Sequence, residues 1–245
     1  MLILKLKSTL KSNKTTIALV AFSFFLYFLL ASQIPRIHFW VNLGLYCLLF
    51  GSYLVFNSQK LNWKLILGIG VLFRVVFLFF LPELSDDFYR FYWDGLQSVS
   101  GTSPFAYLPS EITNPSLDAI YTKLNSQNYY SVYPGVNQLI YLLGVFLGRS
   151  LEGFVLTLKV LMVFAELVSF YFLYLLLQYK KKSLSLLSWY FLNPLVILEF
   201  VGNLHFEGFM LSAFLGSLYL LSKKEILGSS IYLGLACAIK IMPFI

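Results

Sequence analysis

The stretch "LFRVVFLFFLPELSDDFYRFYWDG", Leu72 to Gly95, decides the fold. An apolar run long enough to lie in lipid ends at Leu81 and Pro82, and is followed at once by Glu83, Asp86, Asp87, Arg90, Asp94 and a cluster of aromatics. Such a switch is what a membrane helix shows where it surfaces into water. The rest of the chain fits that reading. It is 59% hydrophobic, 19% aromatic and 12% charged over 245 residues. A soluble domain needs roughly 25% charged residues, so the chain reads as an all-α integral membrane protein.

Working outward, apolar runs near 15–34, 39–56, 62–82, 155–178, 184–202, 207–222 and 226–245 suggest about seven transmembrane helices. A further run at 135–148 ("GVNQLIYLLGVFLG") has only 14 residues. A span needs roughly 20, so this segment is expected to be an interfacial helix. Cys47 and Cys237 lie in apolar runs and read as small buried hydrophobes.

The net charge of +7 does not point to nucleic acid, because the lysines sit at helix ends. If 135–148 does not cross, Lys5, Lys7, Lys11, Lys14, Lys60, Lys64, Lys180, Lys181, Lys182, Lys223 and Lys224 share the cytosolic side with one acid, Glu225. The positive-inside bias therefore puts the N-terminus in the cytosol. A bacterial inner membrane is preferred over endoplasmic reticulum. The whole chain, 1–245, reads as one transmembrane domain. Residues 83–134 then form a large external loop, with six acids against Arg90 and Lys123. A loop of that length is expected to be functional and to carry short helices of its own.

Charged residues at membrane depth are costly and stand as functional candidates. Arg74 lies eight residues before Pro82, about 12 Å below the outer end of its helix. Glu166 is at comparable depth, seven residues from Lys159 and on the same helical face. Glu199 is near the outer end of the next span. Arg74 and Glu166 either neutralise each other structurally or line a hydrated cavity. The turn "GNLHFEG" brings Asn203, His205 and Glu207 to the outer face, and Lys240 rises towards it. Asp86 and Asp87 are there too. Adjacent carboxylates at the mouth of an apolar site can titrate apart, leaving one suited to act as general base; the competing reading is that the pair caps the following helix. A divalent metal held by Asp86, Asp87 and His205 stays open. Lys240 or Arg90 would suit a lipid phosphate.

The succession "SDDFYRFYWDG…GTSPFAY", "YPGVNQLIY", "FLNPLVILEFVGN" and "AIKIMPF" resembles the GT-C polytopic glycosyltransferases. It is most similar to the mannosyltransferase-like glycosyltransferase 87 type, and more distantly to the catalytic subunit of GPI mannosyltransferase I. Gly101, Ser103, Pro104 and Phe105 match one landmark, Tyr133 and Pro134 another. Asn193, Pro194, Gly202, Asn203, Lys240 and Pro243 match the rest. The acidic motif is Asp-Asp where relatives have Asp-x-Asp. Such enzymes usually carry further spans, which leaves open that the sequence is an N-terminal part of a longer enzyme.

The resemblance implies a GT-C-like bundle and inverting transfer of a hexose, mannose by preference. The donor would be a polyprenyl-phosphate sugar and the acceptor a lipid or glycan hydroxyl on the non-cytosolic face. It implies Asp86 as first choice of base and Asp87 as second. Arg90, His205 and Lys240 are candidates for the donor phosphate. Tyr89, Tyr92 and Trp93 could stack on sugar rings, with membrane-interface anchoring as the competing reading, and Asp94, Asn203 and Glu207 are further candidate substrate-binding residues. A secondary transporter using Arg74, Glu166 and Glu199, or a non-catalytic membrane subunit, are the competing readings.

Overall fold

A computed structural model describes residues 2–32, 34–112 and 114–244. The side chains of Lys5, Lys7 and Lys11, and the whole of Ile245, lie outside that description. The described residues form helices α1 (Leu2–Ser32), α2 (Phe39–Ser58), α3 (Trp63–Val75), α4 (Asp87–Val99), α5 (Asp118–Tyr121), α6 (Gly135–Gly148) and α7 (Leu151–Tyr179). They continue with α8 (Leu187–Phe191), α9 (Pro194–Val196), α10 (Glu207–Ser222) and α11 (Ile226–Ile239).

Among the described residues three helices are long and apolar enough to cross a membrane: Lys14–Ser32 of α1, α2 and α7. A fourth is counted if the bent pair Leu184–Phe191 and Pro194–Gly202 is one span. This is fewer than the seven expected, because several of the apolar runs bend or stop short. The run 62–82 leaves the α-helix at Val75 and continues as a tighter 3₁₀ turn, Val76–Phe79. Its terminal carbonyls at Phe77 and Phe80 accept hydrogen bonds from the fully buried Lys159 Nζ, at 2.9 and 2.7 Å. A cation at a helix C-terminus satisfies orphan acceptors and complements the dipole.

The run 184–202 bends by 50° at Asn193-Pro194. Proline has no N–H and disfavours helix at the residue before it. Asn193 is accordingly extended, with its Oδ1 accepting the Leu195 N–H to cap α9. Beyond α9, Ile197–Gly202 forms a wide π-helical turn. The run 226–245 stops at Ile239, with Lys240 extended at φ −146°, because Pro243 cannot donate to the Ile239 carbonyl. Cys47 is exposed on the flank of α2, not buried, and Cys237 is half-buried; both are free thiols.

Two apolar cores organise the bundle. The first joins α1, α2, α3, the later half of α7, α8 and the π turn, around Tyr27, Leu49, Phe56, Phe73, Met162 and Phe191. The second joins α4, α6, the start of α7, the turn before α10 and the end of α11, around Phe88, Phe91, Tyr141, Phe154, Leu158 and Phe206. Gly95 makes the second possible. A Cβ there would stand 2.8 Å from the Tyr141 carbonyl oxygen, so only glycine lets α4 approach α6 so closely. Ring stacking of Phe91 on Tyr141, 4.8 Å between centroids and 7° from parallel, fixes the register of the two helices. The short segment expected at 135–148 is α6, with those bounds.

Candidate functional site

The polar residues fall into two sets that differ in burial. In the first core, Arg74 and Glu166 meet at 2.7 Å with both side chains fully buried. Arg74 Nη1 also donates to the carbonyls of Gly70 and Phe191, at 3.0 and 2.8 Å. The guanidinium lies 3.9 Å from the Phe191 ring centroid. Tyr190 Oη donates to Glu166 Oε1 at 2.6 Å. Each charge thus has a partner and hydrogen bonds, which is what an ion pair out of water requires. Of the two readings of this pair, the geometry is that of mutual neutralisation.

The second set gathers around the 83–134 loop. Asp86 is the residue before α4, but its side chain caps nothing. It pairs instead with Arg36 Nη2 at 2.6 Å, at a position more than a third exposed on both sides. Asp87 opens α4, and its Oδ1 accepts from Asn125 Nδ2 at 2.9 Å. Neighbouring in sequence, the two aspartates have different surroundings. Asp86 acts electrostatically on Tyr89, whereas Asp87 acts on Tyr133 and His205. Burial, followed by the Asp87 and Asp94 carboxylates, pushes the Tyr133 phenol well above its ordinary value.

Arg90 and Asp94 are one turn apart on α4, and both are buried. Arg90 Nε donates to Asp94 Oδ1 at 2.8 Å. Arg90 Nη1 reaches the carbonyls of Ser126 and Tyr129, at 3.1 and 2.9 Å. Asp94 Oδ2 accepts from Ser131 Oγ at 2.5 Å and from Gln138 Nε2 at 3.1 Å. These two residues tie the far end of the 83–134 loop to α4 and α6. The structure therefore gives Arg90 loop carbonyls where a phosphate contact was expected, and gives Asp94 loop hydroxyls and amides. Tyr92 and Trp93 are likewise buried, packed on Phe154 and Tyr121 at 5.1 and 6.0 Å. They offer no open face for a sugar ring. Tyr89 is half-buried against Phe88.

Beyond the π turn, Glu199 Oε2 accepts from Asn203 Nδ2 at 3.2 Å and pairs with His205 Nδ1 at 3.1 Å. Tyr46 Oη from α2 approaches Glu199 Oε1 at 3.5 Å. The connecting turn puts Leu204 in the left-handed region at φ 59°, fully buried. Bulky residues rarely adopt that conformation, and here it carries the chain back so that the His205 N–H meets the Glu199 carbonyl at 3.0 Å. The hydrogen bond to Glu199 raises the His205 pKa against the opposing effect of burial; Glu199, Glu207 and Asp87 add to the rise as charges. Lys240, released by the end of α11, pairs with Glu207. The second carboxylate oxygen of Glu207 is buried without a hydrogen-bond partner.

Asp87, His205, Glu199, Asn203, Glu207 and Lys240 therefore belong to one connected end of the fold, while Arg74 and Glu166 lie apart in the first core. Arg36, Tyr46, Asn125, Ser126, Ser131, Gln138 and Tyr190 were not foreseen from sequence. Only the four-residue spacing of Arg90 and Asp94 signalled any of this network in advance. Among the described residues no group of three His, Cys, Asp or Glu side chains could hold a metal ion. Asp86, Asp87 and His205 do not form one, since each engages a different partner.

The landmark motifs lie on these elements, and the whole-chain comparison agrees with them. Residues 9–245 match the family described as alpha-(1->6)-mannopyranosyltransferase, N-terminal domain. The chain belongs to that family. The mannosyltransferase-like resemblance of the motifs is thereby shown for nearly the full length, and membership supports a glycosyltransferase acting with a sugar donor and an acceptor. Comparison with curated proteins and with solved structures returned no match.

Proposed function

We infer that the protein transfers mannose from a polyprenyl-phosphate donor to an acceptor hydroxyl on the non-cytosolic face, with inversion, as a GT-C-type enzyme. The remaining apolar segments complete about seven spans around the site, with the N-terminus in the cytosol of a bacterium. In the reaction the acceptor O–H proton passes to an aspartate as the oxygen attacks the anomeric carbon. The bond from that carbon to the phosphate oxygen breaks, and the phosphate leaves with the electron pair.

One observation carries the assignment of roles: of the two aspartates, Asp87 is the one that accepts from Asn125 and whose charge acts on His205. We read Asp87 as the base and Asp86 as the second choice, because its ion pair with Arg36 must open before it can take a proton. His205, with its raised pKa, and Lys240 supply positive charge for the departing phosphate. Asn203 and Glu207 support them. Arg90 and Asp94 act at one remove, by holding the loop on which Asn125 stands.

Transfer by the full-length protein in membranes, with polyprenyl-phosphate mannose as donor, tests this. General-base removal costs about 10²–10⁴ in rate. Asp87→Asn is expected to lose that much, and Asp86→Asn far less. Normal transfer by a well-folded Asp87→Asn protein would overturn the assignment. Retained anomeric configuration in the product would overturn inversion.

A further inference from the structure

At the end of the bundle opposite the aspartates, α7 and α10 stop side by side. Each ends in the same turn. The Lys182 N–H bonds the Leu177 carbonyl at 2.8 Å, and the Lys181 N–H bonds that of Gln178 at 3.0 Å. The Glu225 N–H bonds the Leu220 carbonyl at 2.9 Å, and the Lys224 N–H that of Leu221 at 2.9 Å. This paired bonding is the helix-ending motif whose left-handed position normally belongs to glycine. Here it holds Lys181 at φ 51° and Lys224 at φ 65°. A side chain in that conformation costs free energy, so a lysine in both turns gives up stability for charge at one spot.

The two turns form one surface. Lys223 Nζ lies 4.6 Å from the ring centroid of Tyr179 and 5.8 Å from that of Tyr219, bridging the helices. Lys180, Lys181, Lys182, Lys223 and Lys224 are all exposed. Glu225 is the only acid in 180–186 and 223–225. Directly beside the lysines, Leu221, Ile226 and Leu227 are 52%, 61% and 77% exposed. A ligand that satisfies this surface needs an anionic head and an apolar body. A nucleic acid or an acidic protein meets only the first requirement.

We propose that the joined ends of α7 and α10 form a headgroup site for an anionic phospholipid, separate from the transfer site. Tyr179 and Tyr219 hold Lys223 over the bilayer interface. Lys181 and Lys224 flank the phosphate from the two turns, and the adjoining leucines and isoleucine meet the acyl chains.

The test is native mass spectrometry of the full-length protein released from bilayers of equal phosphatidylglycerol and phosphatidylcholine. Each lysine near an anionic headgroup is worth roughly fivefold in retention. Wild type is expected to keep phosphatidylglycerol at least about tenfold over phosphatidylcholine. Lys181→Gly with Lys224→Gly should lose most of that preference while raising thermal stability, since glycine suits both turns. That opposite movement distinguishes a lost ligand from a damaged fold. Lys123→Gln with Arg149→Gln, away from these turns, should keep the preference. Equal retention of the two lipids by wild type would overturn the proposal, as would an unchanged preference in the glycine variant. Binding of a soluble polyanion such as heparin without lipid preference would overturn it too.

Discussion

The two ends of α7 and the core between them show how one kind of residue can do opposite work. In the first core, Arg74 and Glu166 are fully enclosed and turned on one another, with the half-buried Tyr190 closing on Glu166. Around the 83–134 loop and the turn before α10, Asp86, Asp87, His205 and Lys240 are only partly covered. Their partners come from separate loops: Arg36, Asn125, Glu199 and Glu207. The first arrangement closes on itself except at Arg74 Nε, which has no partner. The second keeps charge within reach of solvent. The difference teaches that depth in the membrane is a weaker sign of function than incomplete enclosure.

The sharpest way to break this comparison is to exchange effects between the two regions. Asp87→Asn is expected to lower transfer by the general-base factor given above, while its unfolding free energy stays within about 0.5 kcal/mol of wild type. Glu166→Ala should do the reverse in kind. Leaving Arg74 unpaired in the interior costs about 3–5 kcal/mol, read as a large drop in thermal midpoint. Arg74→Met combined with Glu166→Leu should recover most of that loss, because an apolar pair of similar volume is often no worse than a buried ion pair. Persistent instability of the double variant would mean that the pair does more than neutralise itself.

Acidity gives a smaller effect with a defined sign. The folded His205 pKa is raised above its unfolded value, so the stabilisation from its bond to Glu199 is fully present below the unfolded pKa. It is lost as pH rises through the folded pKa. His205→Gln should therefore flatten the midpoint-versus-pH curve above about pH 6.5, with a modest amplitude because the imidazole is over a third exposed. A curve of unchanged shape would remove His205 from the account. Smallest of all, Asp86→Asn should cost less than about 1 kcal/mol, as expected for an exposed pair.

How much of this could be read from the chain depends on whether the signal was local. The bounds of α6 and α10 were legible because Pro134 and the polar turn before Glu207 mark their starts, and an apolar run fills each. The bend at 193–194 was also written locally, as an asparagine cap followed by proline, yet hydropathy averages over it and reads one span. The early end of α3 was not local at all. It depends on Lys159, about 80 residues away in sequence, presenting its ammonium to the Phe77 and Phe80 carbonyls. The site shows the same division. The two aspartates and the histidine were legible as residue types. Which partner each aspartate takes was not, since Arg36 and Asn125 come from other parts of the chain. Arg90 and Asp94 looked like site residues because they stand among the motif aromatics, but their spacing of one turn lets them satisfy each other first.

The π turn at Ile197–Gly202 makes the site sensitive to the length of the chain as well as to its chemistry. A π turn holds one residue more than the α-helix it interrupts. Removing a single residue between Ile197 and Gly202 would take that extra residue away and break the wide turn's bond from the Asn203 N–H to the Leu198 carbonyl, 2.8 Å long. Glu199 would part from Asn203 and His205, whose contacts with it depend on that turn. A one-residue deletion that changes no charge and leaves the apolar content intact should therefore silence the enzyme while the bundle still inserts.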